Sequence, residues 1–316
     1  MKYSLITGFL GELRDRFISY QPSRDITEKF RLASNIKNLT GLELIYPQDF
    51  NDLELVKKLL SDYNFEVSAI NLNIKGESKW RYGAFTAVNE ETRKEAIKYL
   101  KRGMEIAEEL GANIVTVCPL NDGSDYPFEI DYRSAWENTV SCIRECADFK
   151  PTVKISIEYK TCEPRMHVLV RDAGRAALLA KVIDRDNVGV TLDVGHAFEA
   201  GEIPAESVDI LASVDKLFYV HINDNFRNWD WDMIPGTVNT LEMVEFIYVL
   251  KSVGYDSWLT IDVYPWRFNP VKVFSETIEW MEHCRKISEK IDAKILKDLQ
   301  ETADAIEVLR YIRSLL

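Results

Sequence analysis

Eight times along the 316 residues of this chain, a short apolar run ending in polar residues is followed by a stretch with apolar residues at helical spacing. The runs fall at residues 3–7, 41–46, 65–74, 114–119, 153–159, 188–193, 217–223 and 258–264. Predicted helices fill the intervals, the clearest at 90–110 with Gly111 as its stop. Alternation of this kind points to a parallel sheet, because each helix carries the chain back to the start of the next strand. Eight units favour a closed ring over an open doubly wound sheet, so the expected fold is α/β, a (β/α)8 TIM barrel over residues 1–286. No Gly-rich phosphate loop follows the first run, which weakens a dinucleotide-binding reading. Residues 287–316 break the pattern. They read as a charged C-terminal helix with Ile291, Ile295, Leu299, Ile306 and Leu309 on roughly one side, either an appendage packed on its own barrel or a contact between subunits.

In a barrel of this kind the groups that act on a ligand stand at the C-terminal ends of the strands. Reading only those positions gives Glu158 and Lys160 after the fifth run, Asp193 and His196 at the sixth, and His221, Asn223, Asp224 and Arg227 at the seventh. Asp230 and Asp232 lie in the loop beyond, and Asp262 is expected within the eighth strand. Glu158 in ISIEY, Asp193 in VTLDV and Asp262 in LTIDV are each framed by apolar strand residues. Three buried carboxylates at one end of neighbouring strands repel one another, and burying each without a partner costs several kcal/mol, order of magnitude. A divalent cation removes the conflict, with His221 as its neutral ligand. Taken singly, each acid reads as readily as a salt-bridged strand end. The two acids of Asp230–Trp231–Asp232, with His196, are candidates for a second metal position. Glu43, in the second strand, could reach the pocket, although a plain strand carboxylate is the favoured reading.

The balance of the chain narrows its partners. A net charge of −12 argues against nucleic acid and anionic membranes, yet leaves room for a small anionic ligand beside a local Lys or Arg. Five scattered cysteines suit reduced core thiols in a cytoplasmic protein better than a disulfide framework. The first apolar run is too short for a signal peptide, and no run is long enough for a membrane span.

The segments GxxLDVGHAFxAG, HINDNxRxWDWDMIPG and GYDSWLTIDVYPWR resemble the xylose-isomerase-like superfamily of sugar isomerases and epimerases, a likeness that runs from residue 2 to about 286. In its ketose 3-epimerase branch, one metal is held by four residues that match Glu158, Asp193, His221 and Asp262, and an arginine matching Arg227 touches substrate. This chain departs from that branch at Asp262, where the epimerases carry Glu; the shorter acid puts two-base epimerisation in doubt. The branch similar to rhamnose and xylose isomerases shares Glu-x-Lys (Glu158, Lys160), Asp193 followed three residues later by His196, the Asp230-x-Asp232 loop and the strand-eight Asp262. There the resemblance implies a second metal on His196, Asp230 and Asp232.

The resulting expectation is a divalent-metal-dependent sugar isomerase interconverting aldose and ketose, acting on a small sugar or sugar phosphate. If a base lifts the proton, Glu158 and Asp262 are the expected acid and base, assisted by Lys160; if metals hold the sugar oxygens while hydride shifts, Glu158 and Asp262 are mainly ligands and His196, Asp230 and Asp232 hold the catalytic metal. His196, Arg227, Lys160 and Trp80 are expected to contact substrate, Trp80 through its aromatic face. A ligand set of carboxylates and imidazole favours Mn, with Mg, Co or Zn as alternatives. Ketose 3-epimerase, cyclic-polyol dehydratase, metal-dependent endonuclease and non-catalytic sugar-binding barrel are the rival readings. A homo-oligomer is an open alternative for the assembly.

Overall fold

The computed structural model describes residues 1–316. Its eight barrel strands are β1 (Lys2–Ile6), β2 (Leu39–Tyr46), β3 (Glu66–Leu72), β4 (Ile114–Val117), β5 (Lys154–Glu158), β6 (Val188–Asp193), β7 (Leu217–Ile222) and β8 (Trp258–Ile261). All pair in parallel with their sequence neighbours, and β8 returns to β1 with Lys2 opposite Trp258 and Leu5 opposite Ile261, which closes the ring. The fold is therefore the (β/α)8 barrel the alternation predicts, with strand bounds within about two residues of the expected ones at most ends.

Helices α1 (Ile26–Ala33), α2 (Leu53–Tyr63), α3 (Glu90–Glu109), α4 (Tyr132–Phe149) and α5 (Ala173–Ile183) follow the first five strands. The short α6 (Val194–Glu199) leaves β6 directly and precedes α7 (Pro204–Ser213). Helices α8 (Thr240–Ser252) and α9 (Pro270–Ser288) complete the ring. Side-chain caps start most of them: Asp52, Asn89, Asp131 and Asp172 each accept a first-turn backbone N–H, and Asn269 does so ahead of a proline at the first helical position.

Alternation along each strand divides the interior in two. Leu42, Leu44, Ile155, Ile157, Val190 and Leu192 belong to the main apolar core. The alternate residues fill the inside of the ring and change character along its axis. At the N-terminal end, Ala69, Ile114 and Tyr219 pack with Trp258. Gly41 makes room there, since a Cβ on it would fall 2.5 Å from the Trp258 ring. Hydroxyls follow: Ser4 and Thr260 are 2.6 Å apart, Thr260 donates to Tyr219 at 2.6 Å, and Thr191 to Ser156 at 2.7 Å. Ionisable groups occupy the C-terminal end.

The tail is not the single helix expected. It forms α10 (Ala293–Glu301) and α11 (Ala305–Leu315), divided where Ala303 takes a φ of +56° and Asp304 caps the second helix. Only Leu296 of these two helices is buried. The five cysteines are free, and no helix is long and apolar enough to cross a membrane.

Candidate metal centre

Four strands deliver the centre. Glu158 ends β5, Asp193 ends β6, His221 lies one residue before the end of β7, and Asp262 lies just past β8. Asp262 is thus outside its strand, although its N–H still donates to the Ile222 carbonyl at 3.2 Å. One ligand atom from each of these four residues lies within 4.8 Å of the other three. His221 Nδ1 is 3.3 Å from Asp262, 3.6 Å from Glu158 and 3.8 Å from Asp193. That nitrogen is buried and has no hydrogen-bond partner.

An orphaned imidazole nitrogen facing three carboxylates fits a divalent cation. A buried polar atom is normally satisfied, and a cation at this point would satisfy it while neutralising the acids. The donor set, three carboxylates and one imidazole, suits a hard or borderline ion. The electrostatics lead to the same place. Burial works against the charge on Glu158, but His221 and His196 beside it hold its carboxyl down at about 2. Burial and the neighbouring acids push Asp193 up to about 7 and raise Asp262 above the usual carboxylate range. Without added positive charge, Asp193 and Asp262 are pushed toward their protonated forms while Glu158 keeps its charge.

Asp193 serves two structures at once. Its Oδ1 accepts the His196 N–H at 2.9 Å and so caps α6, while its Oδ2 faces the centre and accepts from Asn223 at 3.2 Å. Asn223 also donates to Asp232 at 3.0 Å, and its carbonyl oxygen accepts the Gly195 N–H. A Cβ at Gly195 would sit 2.6 Å from that oxygen, so the residue before His196 has to be glycine for this contact to form.

The remaining sequence candidates are distributed around this centre. His196 lies between acids, with Nδ1 3.2 Å from Glu158 and Nε2 3.2 Å from Asp230. Burial disfavours its charge, yet Asp193 and Asp230 raise its pKa to about 10. Buried Lys160 reaches Asp230 at 2.6 Å and Glu163 at 2.7 Å. Asp232 is buried and held by Asn223, with burial and Asp230 raising its carboxyl well above the usual range. His196, Asp230 and Asp232 are near one another but do not make a second group of converging ligand atoms; only the four-residue set does. Arg227 pairs instead with Glu242 at 3.0 Å and lies over the Phe198 ring. Trp80 has no exposed surface and packs edge-on against Tyr99, so it presents no free face. Asp224 anchors the loop after β7 by accepting from the backbone of Val238 and Asn239.

Glu43, for which the sequence left reaching the pocket as the lesser reading, is inside the ring, fully buried, 3.0 Å from His221 Nε2. The signal that picked out Glu158, a lone acid framed by apolar strand residues, is also present at Glu43 in GLELIY.

Comparison with known proteins agrees with this architecture. The model of the xylose isomerase-like TIM barrel family matches residues 30–284. A Mesorhizobium japonicum protein described as a probable sugar isomerase is 23% identical over 317 residues, covering 95% of this chain and 73% of that protein. A solved structure described as a D-tagatose 3-epimerase-like protein superposes with a TM-score of 0.72 at 21% identity, covering 92% of this chain and 99% of the other. Another, described as the IOLI protein with a bound zinc atom, superposes with a TM-score of 0.65 at 18% identity, covering 93% and 100%.

Proposed function

The chain belongs to the xylose isomerase-like TIM barrel family, and from that premise we propose that it is a divalent-metal-dependent sugar isomerase that interconverts an aldose and a ketose. The observation that carries the reading is the buried, unpartnered His221 Nδ1 set among Glu158, Asp193 and Asp262. These four residues would hold the cation. The relative described as a sugar isomerase and the neighbour described with bound zinc support the same reading.

Bound there, the cation would polarise the sugar's carbonyl and adjacent hydroxyl oxygens and stabilise the negative charge that develops on them. The chain's own groups account for the rest. Of the four ligands, Asp262 keeps the most exposed side chain, at 14% against 5% for Glu158 and none for Asp193 and His221. That accessibility suits a group that takes a proton from the carbon beside a carbonyl and returns it to the neighbouring carbon. Glu158 is the second candidate for this exchange. Lys160 and His196, both buried and both held cationic by Asp230, are placed to donate hydrogen bonds to sugar oxygens. By this route one hydrogen moves from C2 to C1 and the hydroxyl proton moves from O2 to O1, so atoms and electrons balance within a single sugar molecule and no external oxidant or reductant is needed.

Support for one cation rather than two comes from Lys160, whose ammonium already neutralises Asp230 at 2.6 Å. The same observation favours a second reading, C3 epimerisation of a ketose, since a single centre serves that proton transfer as well. Mn is the preferred ion, with Zn, Mg or Co as substitutes. The test is turnover of free and phosphorylated aldoses and ketoses in deuterated water, with and without chelator. Chelator-sensitive interconversion with solvent deuterium in the product is expected. Full activity in metal-free protein would overturn the reading; deuterium at C3 with no aldose formed would select the epimerase.

A further inference from the structure

We propose that Glu43 is a positioning residue that fixes the His221 ring so that Nδ1 offers its lone pair to the metal, a role that rests on the four-residue cluster being a metal site. Glu43 is not one of the four ligands, and its contact with them is through the outer nitrogen of His221. It sits on β2, three places from β7 around the ring, and its side chain crosses the barrel interior to reach His221. Both carboxylate oxygens are engaged. Oε2 lies 3.0 Å from His221 Nε2, while Oε1 accepts from Asn71 Nδ2 and from Thr116 Oγ1, each at 2.7 Å. No lysine or arginine pairs with it; the His221 imidazole is its one basic neighbour within pairing distance.

A fully buried carboxylate without a cationic side chain is costly as mere filling, and an apolar residue would fill a barrel interior more cheaply. The geometry gives it a use. A carboxylate only accepts, so it holds the proton of neutral imidazole on Nε2 and leaves Nδ1 unprotonated toward Glu158, Asp193 and Asp262. Asn71 on β3 and Thr116 on β4 fix the carboxylate in turn, and the Tyr219 ring stands edge-on to the imidazole at 5.6 Å. Strands that supply no ligand thereby orient the one nitrogen ligand. Outer carboxylates of this kind raise the donor strength of a ligating histidine, and their loss typically weakens metal binding about ten- to a hundred-fold.

Glu43→Gln keeps the shape but offers an amide N–H₂ that competes to donate to Nε2, which would move the ring proton to Nδ1. The experiment is direct titration of metal-free protein with Mn2+ and Zn2+, for wild type, Glu43→Gln, Thr116→Val and His221→Asn. The expected result is about ten- to a hundred-fold weaker binding for Glu43→Gln and a smaller loss for Thr116→Val. A Glu43→Gln affinity equal to wild type overturns the proposal. If wild type binds no metal, or His221→Asn binds as well as wild type, the metal-site reading itself fails. A second measurement needs no variant of Glu43 to fold: in 15N-histidine-labelled, Zn2+-loaded wild type, the His221 ring should show its proton on Nε2. Metal at Nε2 or a proton on Nδ1 overturns the proposal.

Discussion

His221 sets the acid sensitivity of the centre. Burial opposes a charge on its ring, but Glu43 and Glu158 outweigh that effect and hold its pKa well above the usual value in the metal-free protein. A raised pKa means the metal-free ring carries an extra proton at neutral pH, and a cation can use Nδ1 only after that proton leaves. Metal binding should therefore release protons and weaken as pH falls. Calorimetric titration in two buffers of different ionisation heat measures the number released; a value of zero would contradict the arrangement. The same logic distinguishes His196, whose two nitrogens face Glu158 and Asp230 and which can remain an imidazolium while the cation is held by the other four residues.

Loops rather than strands decide how open the C-terminal end is, and a buried acid ties two of them together. Asp122, after β4, accepts the backbone N–H groups of Ala84 and Thr86 at 2.8 Å and the Thr86 hydroxyl, which pins the segment after β3. A two-stranded antiparallel pairing of Gly123–Ser124 with His167–Val168 then joins the loops that follow β4 and β5. Asp122→Ala should leave Ala84 and Thr86 without their acceptor, so their amide hydrogen exchange should quicken at least about tenfold, the order of one lost hydrogen bond to a charged group. Metal affinity should stay unchanged, because Asp122 touches none of the four ligands. Unaltered exchange would show that the loop is held by other contacts. These ties were not legible in the sequence, because they join residues of different loops that only the folded barrel brings together. What the sequence did disclose is periodic or local: eight strands, eight intervening helices, and acids framed by apolar residues at strand ends. Helix α6 escaped notice because six residues beginning Val-Gly span too little of a turn pattern, and Trp80 misled because an aromatic in a polar loop looks exposed until the loop folds over it. Glu43 could be singled out in the sequence but given no role, for a different reason. Its partner lies 178 residues away, and only closure of the ring places β2 across from β7.

The molecule as a whole separates its two ends. Apolar packing and a hydroxyl layer fill the ring up to the ionisable groups, and a hollow of about 490 Å3 beside α8 and α9, bordered by Tyr3, Tyr255 and Arg285, lies by the opposite rim and holds none of the four ligands. The tail stands apart from both. Helix α11 has no buried residue and exposes Ile306 and Leu309. Deleting residues 305–316 should cost about 1 kcal/mol or less in stability and leave metal affinity within about twofold, checked by thermal unfolding and direct titration. A larger loss of affinity would tie the tail to the centre. The closing pair of strands carries a further consequence, one of timing. Asp262 follows the last strand, and that strand completes the ring by pairing with the first, more than 250 residues earlier. Contacts so far apart form late, since a long stretch of chain has to be ordered before they reward it. A nascent chain emerging from the ribosome carries Glu158, Asp193 and His221 well before it carries the fourth ligand. The complete proposed ligand set therefore exists only once the ring has closed, so a cation held by all four residues would be held by finished barrels alone.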